Sequence, residues 1–471
     1  MPLILSGNVA SATADAGYTV ANSCRFNDDD NPKMTVTPSS SGTNAGLKYT
    51  LSAWVKLGNI GADKTIWSCS SDTYIYITGA GIISCNFRRD GGTNYQYEST
   101  RRLRDPSAWY HIVMRVDTTD STDADKVQVY VNNEEDTPSI TSYQNMADDF
   151  ETGGNVSGIE QRIGVYSDGS LDFDGYMAEV IMVDNQSLAP TSFGEYDSDT
   201  PTIWKPKDIS DISVGTNGYY LDFEDSSNLG NNAAGSGSAD LTETNLAAAD
   251  QMTDTPTNNY STWNPLSIAT SGTPTFSQGN LQVITPVSGL GWSISTIGAT
   301  SGKWYAEVFV VAYASLDRTA IGITGDPIGS LAGNSNIGTL TNSLDVGYWQ
   351  NGYSAVGNST DTDYGDVFVV DDLMGIALNI DDNEVIFYRN NTAQNSGTAI
   401  SFTAGSTYHF CLNDGSNGGG NTTVTNFGQD GTFAGNKTAQ GNADGNGYGD
   451  FYYSVPSGFY ALCTKNLAKY G

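Results

Sequence analysis

Apolar and polar residues alternate along much of this chain, in short runs separated by polar loops. In the first half the alternation is clearest at 49–55, 74–77, 109–116, 126–131 and 175–183. A period of two places successive side chains on opposite faces of a strand, so each run predicts a β-strand. The Asp-rich stretch at 117–125 predicts a hairpin loop between two of them. Strands at this spacing are typical of an antiparallel sandwich.

The second half repeats this pattern with a different sequence. Further strand-like runs lie at 301–310, 319–323, 346–349, 373–380, 384–389, 408–412 and 423–428. The acidic turn Asp381-Asp382-Asn383 predicts a tight hairpin between two of them. Residues 226–262 are rich in Gly, Asn, Ser and Thr, which is typical of loop or linker sequence.

These patterns predict an all-β protein with two antiparallel β-sandwiches joined by a loop-rich linker. The expected bounds are 1–225 for the first sandwich, 226–265 for the linker and 266–430 for the second sandwich. Residues 431–471, which are Gly-rich and then aromatic, are expected to form an extension that packs on the second sandwich.

Composition agrees with a β protein and restricts the partners. The 471 residues include 53 Gly and 27 Tyr, only 16% are charged, and 38% are hydrophobic, which is enough to form cores. The net charge of −32 repels a phosphate backbone, so nucleic acid is not an expected partner. Two explanations of the charge stay open: solubility, or carboxylate-rich loops that hold Ca²⁺.

The chain shows no recognisable targeting signal. The short apolar stretch Met1–Ser6 has no positive region before it and is too short for a signal peptide. No window reaches the length of a membrane span, so we expect no membrane insertion and synthesis in a cytosol. The five cysteines contain no C-x-x-C pair and are odd in number, which predicts small buried hydrophobes rather than disulfides or a zinc site.

Three motifs in the first half carry a family resemblance: Leu51-Ser52-Ala53-Trp54-Val55, Trp109-Tyr110-His111-Ile112-Val113 ahead of a Val-x-Val-Tyr-Val-Asn strand, and Phe173-Asp174-Gly175 followed by Glu179-Val180. In order and spacing they resemble the laminin-G-like, or concanavalin A-like, jelly-roll family. The resemblance covers about 200 residues and implies a jelly-roll domain.

The second half resembles the SPRY family. The matching pieces are Ser301-Gly302-Lys303-Trp304-Tyr305 with Glu307-Val308, the strand Ile321-Gly322-Ile323, Gly347-Tyr348, Gly375–Leu378 with its hairpin into Phe387–Asn390, and Phe427-Gly428-Gln429. This resemblance implies a second β-sandwich that binds its ligand through loops at one end.

The tandem of these two domains resembles proteins of tailed phages, especially those of marine bacteria. Arg25–Asp30, Trp204-Lys205-Pro206, Gly218–Phe223 and Gly458–Thr464 carry that resemblance. It implies a virion surface protein made in the host cytoplasm, which contacts other virion proteins and a host-surface glycan or protein. Such proteins usually act as homo-oligomers. A tail-fibre or receptor-binding component is the expected role, and a capsid-decorating or tail-scaffold protein without a receptor is the alternative.

Catalysis is not expected from the acidic residues or the histidines. Retaining glycosidases need two carboxylates about 5–5.5 Å apart, and the nearest candidates, Asp172, Asp174 and Glu179 or Asp222 with Glu224, read equally well as turn or rim residues. His111 and His409 both lie within apolar strand patterns, which predicts structural histidines. A polysaccharide-degrading enzyme stays the less favoured alternative.

Two kinds of binding site remain as candidates. A calcium ion is the expected metal, if any, with Asp117, Asp120, Asp123 and Asp125 as its loop ligands, although solvated loop charge explains them as well. No other cofactor is expected. For a glycan, aromatic rings stack on the apolar face of a sugar while acids and amides bind its hydroxyls. The candidates of this kind are Tyr95, Tyr97, Tyr166 and Asp168 in the first domain, and Trp349, Tyr353 and Tyr364 in the second, where an interface or core role is equally open.

Overall fold

The computed structural model describes residues 17–69, 73–89, 92–266, 272–286, 291–313, 319–325, 337–338, 344–357, 362–414 and 420–471. These residues divide into two compact units, an N-terminal unit that ends at Thr257 and a C-terminal unit that begins at Asn258. Each is built from antiparallel sheets around its own core, which confirms the predicted all-β fold class.

Two large sheets form the N-terminal unit. In spatial order, the first sheet contains β10 (Glu134–Glu135), β9 (Val127–Val131), β8 (Trp109–Asp117), β3 (Lys48–Leu57), β13 (Gly175–Asp184), β1 (Ser23–Phe26) and β18 (Gln251–Met252), with β16 (Tyr219–Leu221) also paired to β13. The second sheet contains β11 (Pro138–Thr141), β7 (Tyr95–Ser99), β6 (Ile83–Phe87), β5 (Thr73–Ile77), β4 (Lys64–Cys69), β12 (Gln161–Ile163), β2 (Lys33–Val36) and β17 (Thr242–Thr244). A separate ribbon pairs β14 (Gly194–Tyr196) with β15 (Trp204–Pro206).

The inner faces of these sheets meet in one hydrophobic core. Leu51 and Val55 from β3 and Ile75, Ile77 and Phe87 from the second sheet all belong to it. Alternation along each strand puts these residues on the buried face, as the sequence pattern predicts. Two clusters of apolar side chains also cover the outer face of the first sheet. The first cluster contains Val20, Trp54, Trp109, Tyr176, Ala178 and Met252. The second contains Val113, Ile181, Val183, Phe193, Ile209 and Val214.

The expected linker is largely part of the N-terminal unit. Within 226–265, the strand β17 pairs with β2 and the strand β18 pairs with β1, so this segment adds one edge strand to each sheet. Leu229, Leu241 and Met252 anchor it, each at most 2% exposed. The Gly- and Asn-rich composition suggested a linker because such short strands carry no periodic pattern of their own. In the structure, the boundary between the units lies at Thr257.

The C-terminal unit also has two sheets. In spatial order, the larger contains β19 (Thr275–Ser277), β20 (Gln282–Ile284), β32 (Thr422–Asn426), β22 (Lys303–Ala312), β27 (Leu373–Asn379), β28 (Glu384–Arg389) and β29 (Thr392–Ala393), with β30 (Ile400–Ser401) paired to β28 and β33 (Tyr460–Ala461) paired to β22. The smaller contains β21 (Gly291–Ile294), β31 (His409–Asp414), β23 (Thr319–Thr324), β24 (Asp345–Trp349), β25 (Tyr353–Val356) and β26 (Thr362–Asp363). The strands β27 and β28 form the predicted hairpin.

The segment 431–471 lies against the larger sheet of this unit. Its strand β33 pairs in parallel with β22, and its helix α1 (Thr464–Tyr470) buries Leu467 in the core. Glu307 of β22 is fully buried and accepts hydrogen bonds from the backbone N–H groups of Tyr452 and Tyr453, both at 2.9 Å. Burial raises the pKa of Glu307 to about 7, although these hydrogen bonds favour its charged form.

Two further predictions concern the burial of the cysteines and the absence of a membrane span. All five cysteines are buried free thiols, as predicted. Among the described residues, no helix has the length and apolar character needed to cross a membrane.

Candidate functional site

A row of polar and aromatic side chains crosses the outer face of the second sheet. The strand register places them opposite one another in the order Thr35, Arg162, Ser68, Tyr74, Asn86 and Gln96. A neighbouring row places Tyr76 opposite Ser84, and Ser84 opposite Glu98. We call these two rows, together with Tyr166, the tyrosine face. It carries hydroxyl, amide and guanidinium groups.

Three tyrosine rings form the centre of the tyrosine face. Tyr74 contacts Tyr166 edge to face, with ring centroids 4.6 Å apart, and Tyr76 at 5.5 Å. All three are half-buried, so each ring still presents part of its surface to solvent. Burial is the main cause that raises the pKa of Tyr74 to about 12, and the neighbouring phenols Tyr166 and Tyr76 act in the same direction. The Tyr74 hydroxyl therefore stays protonated and can donate a hydrogen bond at neutral pH.

Amide groups lie beside these rings. The Oδ1 atom of Asn86 accepts hydrogen bonds from Asn94 (3.1 Å) and Gln96 (2.9 Å). Its Nδ2 atom is buried and has no hydrogen-bond partner among the described residues. An unpaired buried amide costs about 1–3 kcal/mol, so a ligand oxygen that reached it would recover that free energy.

Arg162 fixes the loop that carries Tyr166. Its guanidinium contacts the backbone carbonyls of Tyr166 and Ser167, and its Nε atom donates to Glu160 at 2.6 Å. The loop itself is a tight turn, because Tyr166 N–H donates to Ser170 O at 2.9 Å and Gly169 adopts a φ of +83°. Asp168 is exposed, and its Oδ1 atom accepts from Ser170 N–H at 2.9 Å. Asp168 therefore lies at the rim of the tyrosine face, while the Tyr166 ring packs against Tyr74 at its centre.

Tyr95 and Tyr97 do not belong to the tyrosine face, contrary to expectation. Tyr97 is opposite Cys85 and Tyr95 is opposite Phe87, and both partners point into the core. Tyr97 is 1% exposed and donates to Asp136 at 2.9 Å, while the Tyr95 ring packs on Phe150. Alternation puts Gln96 rather than either tyrosine outside. The sequence Tyr74-Ile75-Tyr76-Ile77 could have indicated the open face. Because Ile75 and Ile77 are buried in the core, alternation along the strand places the rings of Tyr74 and Tyr76 on the opposite face.

The three candidates in the C-terminal unit are not brought together as an exposed group. Trp349 is 7% exposed and packs in a cluster with Trp292. Tyr364 is 5% exposed, contacts the Tyr348 ring at 5.4 Å, and donates to the Thr398 carbonyl. Only Tyr353 of these three is open to solvent, at 41%. Trp349 lies within β24, whereas Tyr364 directly follows β26, and both rings are packed in hydrophobic clusters.

The four aspartates proposed for calcium do not converge. Asp117 pairs with Lys48 at 2.7 Å and accepts from Thr119, while Asp123 pairs with Lys126 at 2.7 Å. Asp120 accepts from Thr122 N–H within its turn, and Asp125 is exposed. In the part of the chain that the structure describes, no group of three or more His, Cys, Asp or Glu side chains is arranged to hold a metal ion. Loop turns and lysine pairs account for three of these four carboxylates.

Of the five acids considered for catalysis, Asp174 and Glu179 are buried, Asp172 and Asp222 are half-buried, and Glu224 is exposed. Asp174 and Glu179 are 1% and 3% exposed, and burial raises the pKa of each to about 7. Glu179 accepts hydrogen bonds from Tyr18 and Tyr220. A carboxylate in such a position cannot reach the glycosidic bond of a polysaccharide.

One Ser–His pair has the spacing of a nucleophile and its base. The Oγ atom of Ser52 lies 2.8 Å from Nε2 of His111, and both residues are fully buried. However, the indole N–H of Trp204 donates to Nδ1 of His111 at 2.9 Å. A neutral imidazole that accepts at Nδ1 carries its proton on Nε2, so His111 donates to Ser52 and cannot take its proton. Burial lowers the pKa of His111 to about 3, which keeps it neutral.

The comparison with family models adds a fold family to this geometry. Residues 28–189 match the concanavalin A-like lectin/glucanases superfamily. The matched stretch contains β2 to β13, and with them nearly the whole tyrosine face. This stretch of the N-terminal unit is therefore similar in sequence to that superfamily. No curated protein matches the chain in sequence.

Several solved structures are similar to parts of the chain. The SPRY domain of human HERC1 is 14% identical, with 35% of this chain and 96% of that chain covered, at a TM-score of 0.29. A putative carbohydrate binding protein from Bacteroides ovatus is 18% identical, with 37% and 46% covered, at a TM-score of 0.27. The heptameric SAP-like pentraxin from Limulus polyphemus is 15% identical, with 37% and 80% covered, also at 0.27. The match to the Bacteroides protein spans less than half of its length. Likenesses at these scores transfer no function to this chain.

Proposed function

We propose that the protein is a non-catalytic binding protein whose N-terminal unit holds a glycan on the tyrosine face. The observation that carries this proposal is the row of side chains across the second sheet, with Tyr74, Tyr76 and Tyr166 at its centre. Phenol rings pack on the apolar face of a sugar, and amide and hydroxyl groups bind its hydroxyls. The lectin-like fold family of residues 28–189 supports the same role.

Two features of the chemistry favour binding over catalysis. The acids Asp174 and Glu179 are buried, and the hydrogen bond from Trp204 prevents His111 from acting as a base toward Ser52. Binding through rings and amides needs neither a base nor a metal. Calcium is therefore not required by this proposal, and a chelator provides its test.

At a finer level, we propose a virion surface protein of a tailed phage, as a tail-fibre or receptor-binding component. The tandem resemblance of the two halves and the acidic sequence support this assignment. Its partners would be other virion proteins, further copies of itself, and a glycan or protein on the host surface. Several weak sites in one particle would raise the apparent affinity through multivalency.

A second role is favoured by one observation in the C-terminal unit. Val367, Val369 and Val370 are 42–49% exposed, and Tyr353 is 41% exposed. Exposed apolar side chains in one region are typical of contact surfaces between proteins. A capsid-decorating or tail-scaffold protein would use such a surface for assembly and would have no receptor.

The test is binding of fluorescently labelled protein to candidate host cells and to a panel of polysaccharides, with and without chelator. Saturable binding that excess unlabelled protein blocks is expected. Tyr74→Ala should weaken it about tenfold, equivalent to about 1.4 kcal/mol. Tyr196→Ala is the matched control, because Tyr196 is 46% exposed in the same unit but lies in β14, outside the tyrosine face.

The outcomes separate the candidate roles. Equal loss of binding in both variants would contradict the tyrosine face as the site. Loss with chelator alone would identify a metal-dependent site elsewhere. Absence of binding, even after multimerisation of the wild type, would favour the assembly role. Release of reducing sugar from any polysaccharide would contradict the non-catalytic assignment.

A further inference from the structure

A lysine and an aspartate meet inside the N-terminal unit, far from the tyrosine face. The Nζ atom of Lys56 lies 2.6 Å from Oδ2 of Asp254, and neither side chain is exposed to solvent. Lys56 is near the end of β3, on its outer face, two positions after Trp54. Asp254 follows the edge strand β18, and its backbone carbonyl accepts a hydrogen bond from Ser23 at 2.6 Å.

The surroundings of this pair are aromatic. The strand register places Trp109 and Tyr176 on either side of Lys56, on the neighbouring strands β8 and β13. The Lys56 ammonium lies 5.7 Å from the centre of the Tyr176 ring. The indole N–H of Trp109 donates to Oδ1 of Asp254 at 3.1 Å. The carboxyl group is therefore held at one oxygen by Trp109 and at the other by the lysine.

An ion pair in this position is expensive, since burying two charges costs several kcal/mol per ion. Burial lowers the pKa of Lys56, while the charges of Asp254 and Asp105 act in the opposite direction. Transfer of one proton along the Nζ–H···Oδ2 hydrogen bond leaves a neutral amine beside a neutral carboxylic acid. Both are the forms that react with each other, and the aromatic surroundings exclude the water that would compete.

We propose that Lys56 and Asp254 form an intramolecular isopeptide bond. The Nζ atom attacks Cγ of Asp254, a C–N bond forms, and the Cγ–Oδ2 bond breaks. The Oδ2 atom leaves as water with one proton from the carboxyl group and one from the amine. Nothing is oxidised or reduced. The Oδ1 atom stays as the amide oxygen, and the Trp109 N–H that already points at it stabilises the negative charge of the tetrahedral intermediate.

The bond would join the central strand of the first sheet to the last residues of the unit. Lys56 and Asp254 are 198 residues apart in sequence, so the cross-link would close most of the unit into one loop. Closing so long a loop restricts the unfolded chain, much as a disulfide does. It would also tether the edge strand β18 covalently, only three residues before the unit ends at Thr257.

Mass spectrometry of the denatured full-length protein tests this proposal. The expected intact mass is lower than the sequence mass by one water. Proteolysis should yield a branched peptide in which the Lys56 side chain is joined to the Asp254 peptide. In Asp254→Asn, the same attack would release ammonia instead of water and give the same branched product.

Two knock-out variants are the controls. Lys56→Met and Asp254→Ala should each show the full sequence mass and only linear peptides, and this readout needs no folded protein. Loss of water without a branched peptide would identify a different modification and overturn the proposal. Full sequence mass in the wild type, with separate linear peptides for both residues, would overturn it as well and leave a buried ion pair.

Discussion

Glu179 lies in a ring of three oxygen atoms. Its carboxyl group contacts the hydroxyls of Tyr18 at 3.0 Å and Tyr220 at 2.9 Å, and these hydroxyls lie 2.9 Å apart. When the Glu179 carboxyl is protonated, its proton and the two phenol protons supply one donor for each of the three oxygen–oxygen contacts. An ionised carboxyl leaves only two protons for the same three contacts. Burial raises the pKa of Glu179 to about 7, and the charges of Asp222 and Glu224 act in the same direction, while the hydrogen bonds from Tyr220 and Tyr18 oppose the rise.

Stability should therefore fall as the pH rises through this range. The folded protein keeps the Glu179 proton up to about pH 7, whereas the unfolded chain releases it near its ordinary value of 4.5. The contribution is fully present below the lower value and is lost above the higher one. In Glu179→Gln the amide mimics the protonated acid, since it donates to one tyrosine and accepts from the other. We expect this variant to melt at a higher temperature than the wild type at pH 8, and no higher at pH 5. Parallel curves for the two proteins would contradict the assignment.

His111 provides a second test at single-residue resolution. It is stacked on Trp54 with ring centroids 4.7 Å apart, and it accepts the Trp204 N–H at Nδ1. We expect long-range proton–nitrogen NMR spectra to show the tautomer protonated at Nε2, with no titration between pH 5 and pH 8. Trp204→Phe, which removes the donor, should allow the other tautomer. An imidazole protonated at Nδ1 in the wild type would reopen Ser52 as a nucleophile.

The sequence could place some of the tyrosine face and not the rest. Tyr166 was predicted as a ring that stacks on a sugar, and its ring lies on the tyrosine face beside Tyr74. Tyr95 and Tyr97 were chosen because they are tyrosines, but which face of a strand is buried depends on the partner strand. Tyr97 lies opposite Cys85, and this pairing joins residues of different strands. Only Ile75 and Ile77, which alternate with Tyr74 and Tyr76, indicated within the sequence itself which rings face outward.

At the level of elements, long strands were predictable and short edge strands were not. The strands β3, β8 and β13 have nine or ten residues each, so their alternation stands out. The strands β17 and β18 have three and two residues, which is too few to show a period. Their pairing depends on contacts that the fold supplies, such as the burial of Leu241 and Met252. A Gly-rich segment can thus belong to a sandwich without resembling one.

Truncation tests this revised boundary. An N-terminal fragment that ends at Thr257 should fold cooperatively, whereas one that ends at Asp225 should be unfolded or aggregate. The shorter fragment loses Leu229, Leu241 and Met252, each worth about 1.5–3 kcal/mol of burial. It also lacks Asp254, which contacts Lys56 at 2.6 Å and to which we propose that Lys56 is joined. The sum of the three burial contributions is comparable to the whole stability of a typical domain. Circular dichroism melts of both fragments would decide, and equal melting temperatures would restore the linker interpretation.

For the whole molecule, buried titratable groups set two opposing pH trends. Burial raises the pKa of Glu179, Glu307 and Asp174 to about 7, so each loses stability as the pH rises through that value. Burial lowers the pKa of His111 to about 3 and of His409 to about 4. The unfolded chain takes up these histidine protons below about pH 6.5, so their contribution is lost as the pH falls. Between about pH 4.5 and pH 6.5 three carboxyl groups lose stability while two histidines gain it. We therefore expect the melting temperature to peak at about pH 4 to 5 and to fall above it, and a continuous rise toward pH 9 would contradict this balance.

The net charge of −32 also affects the stability of the whole molecule, and its effect is to lower that stability. Like charges spread over the surface repel one another, and folding brings them closer together, so the compact state is destabilised at low ionic strength. Salt screens this repulsion, because the Debye length shortens from about 30 Å at 0.01 M to about 8 Å at 0.15 M. We therefore expect the melting temperature to rise as NaCl increases over this range at pH 7.5. Sodium and potassium chloride should act alike, since screening depends on ionic strength rather than on the ion. The buried groups near Lys56 and Glu179 are shielded from dissolved ions, so salt should not change their contribution. A melting temperature that is independent of salt would therefore contradict this prediction and would mean that buried charge, not surface charge, limits stability.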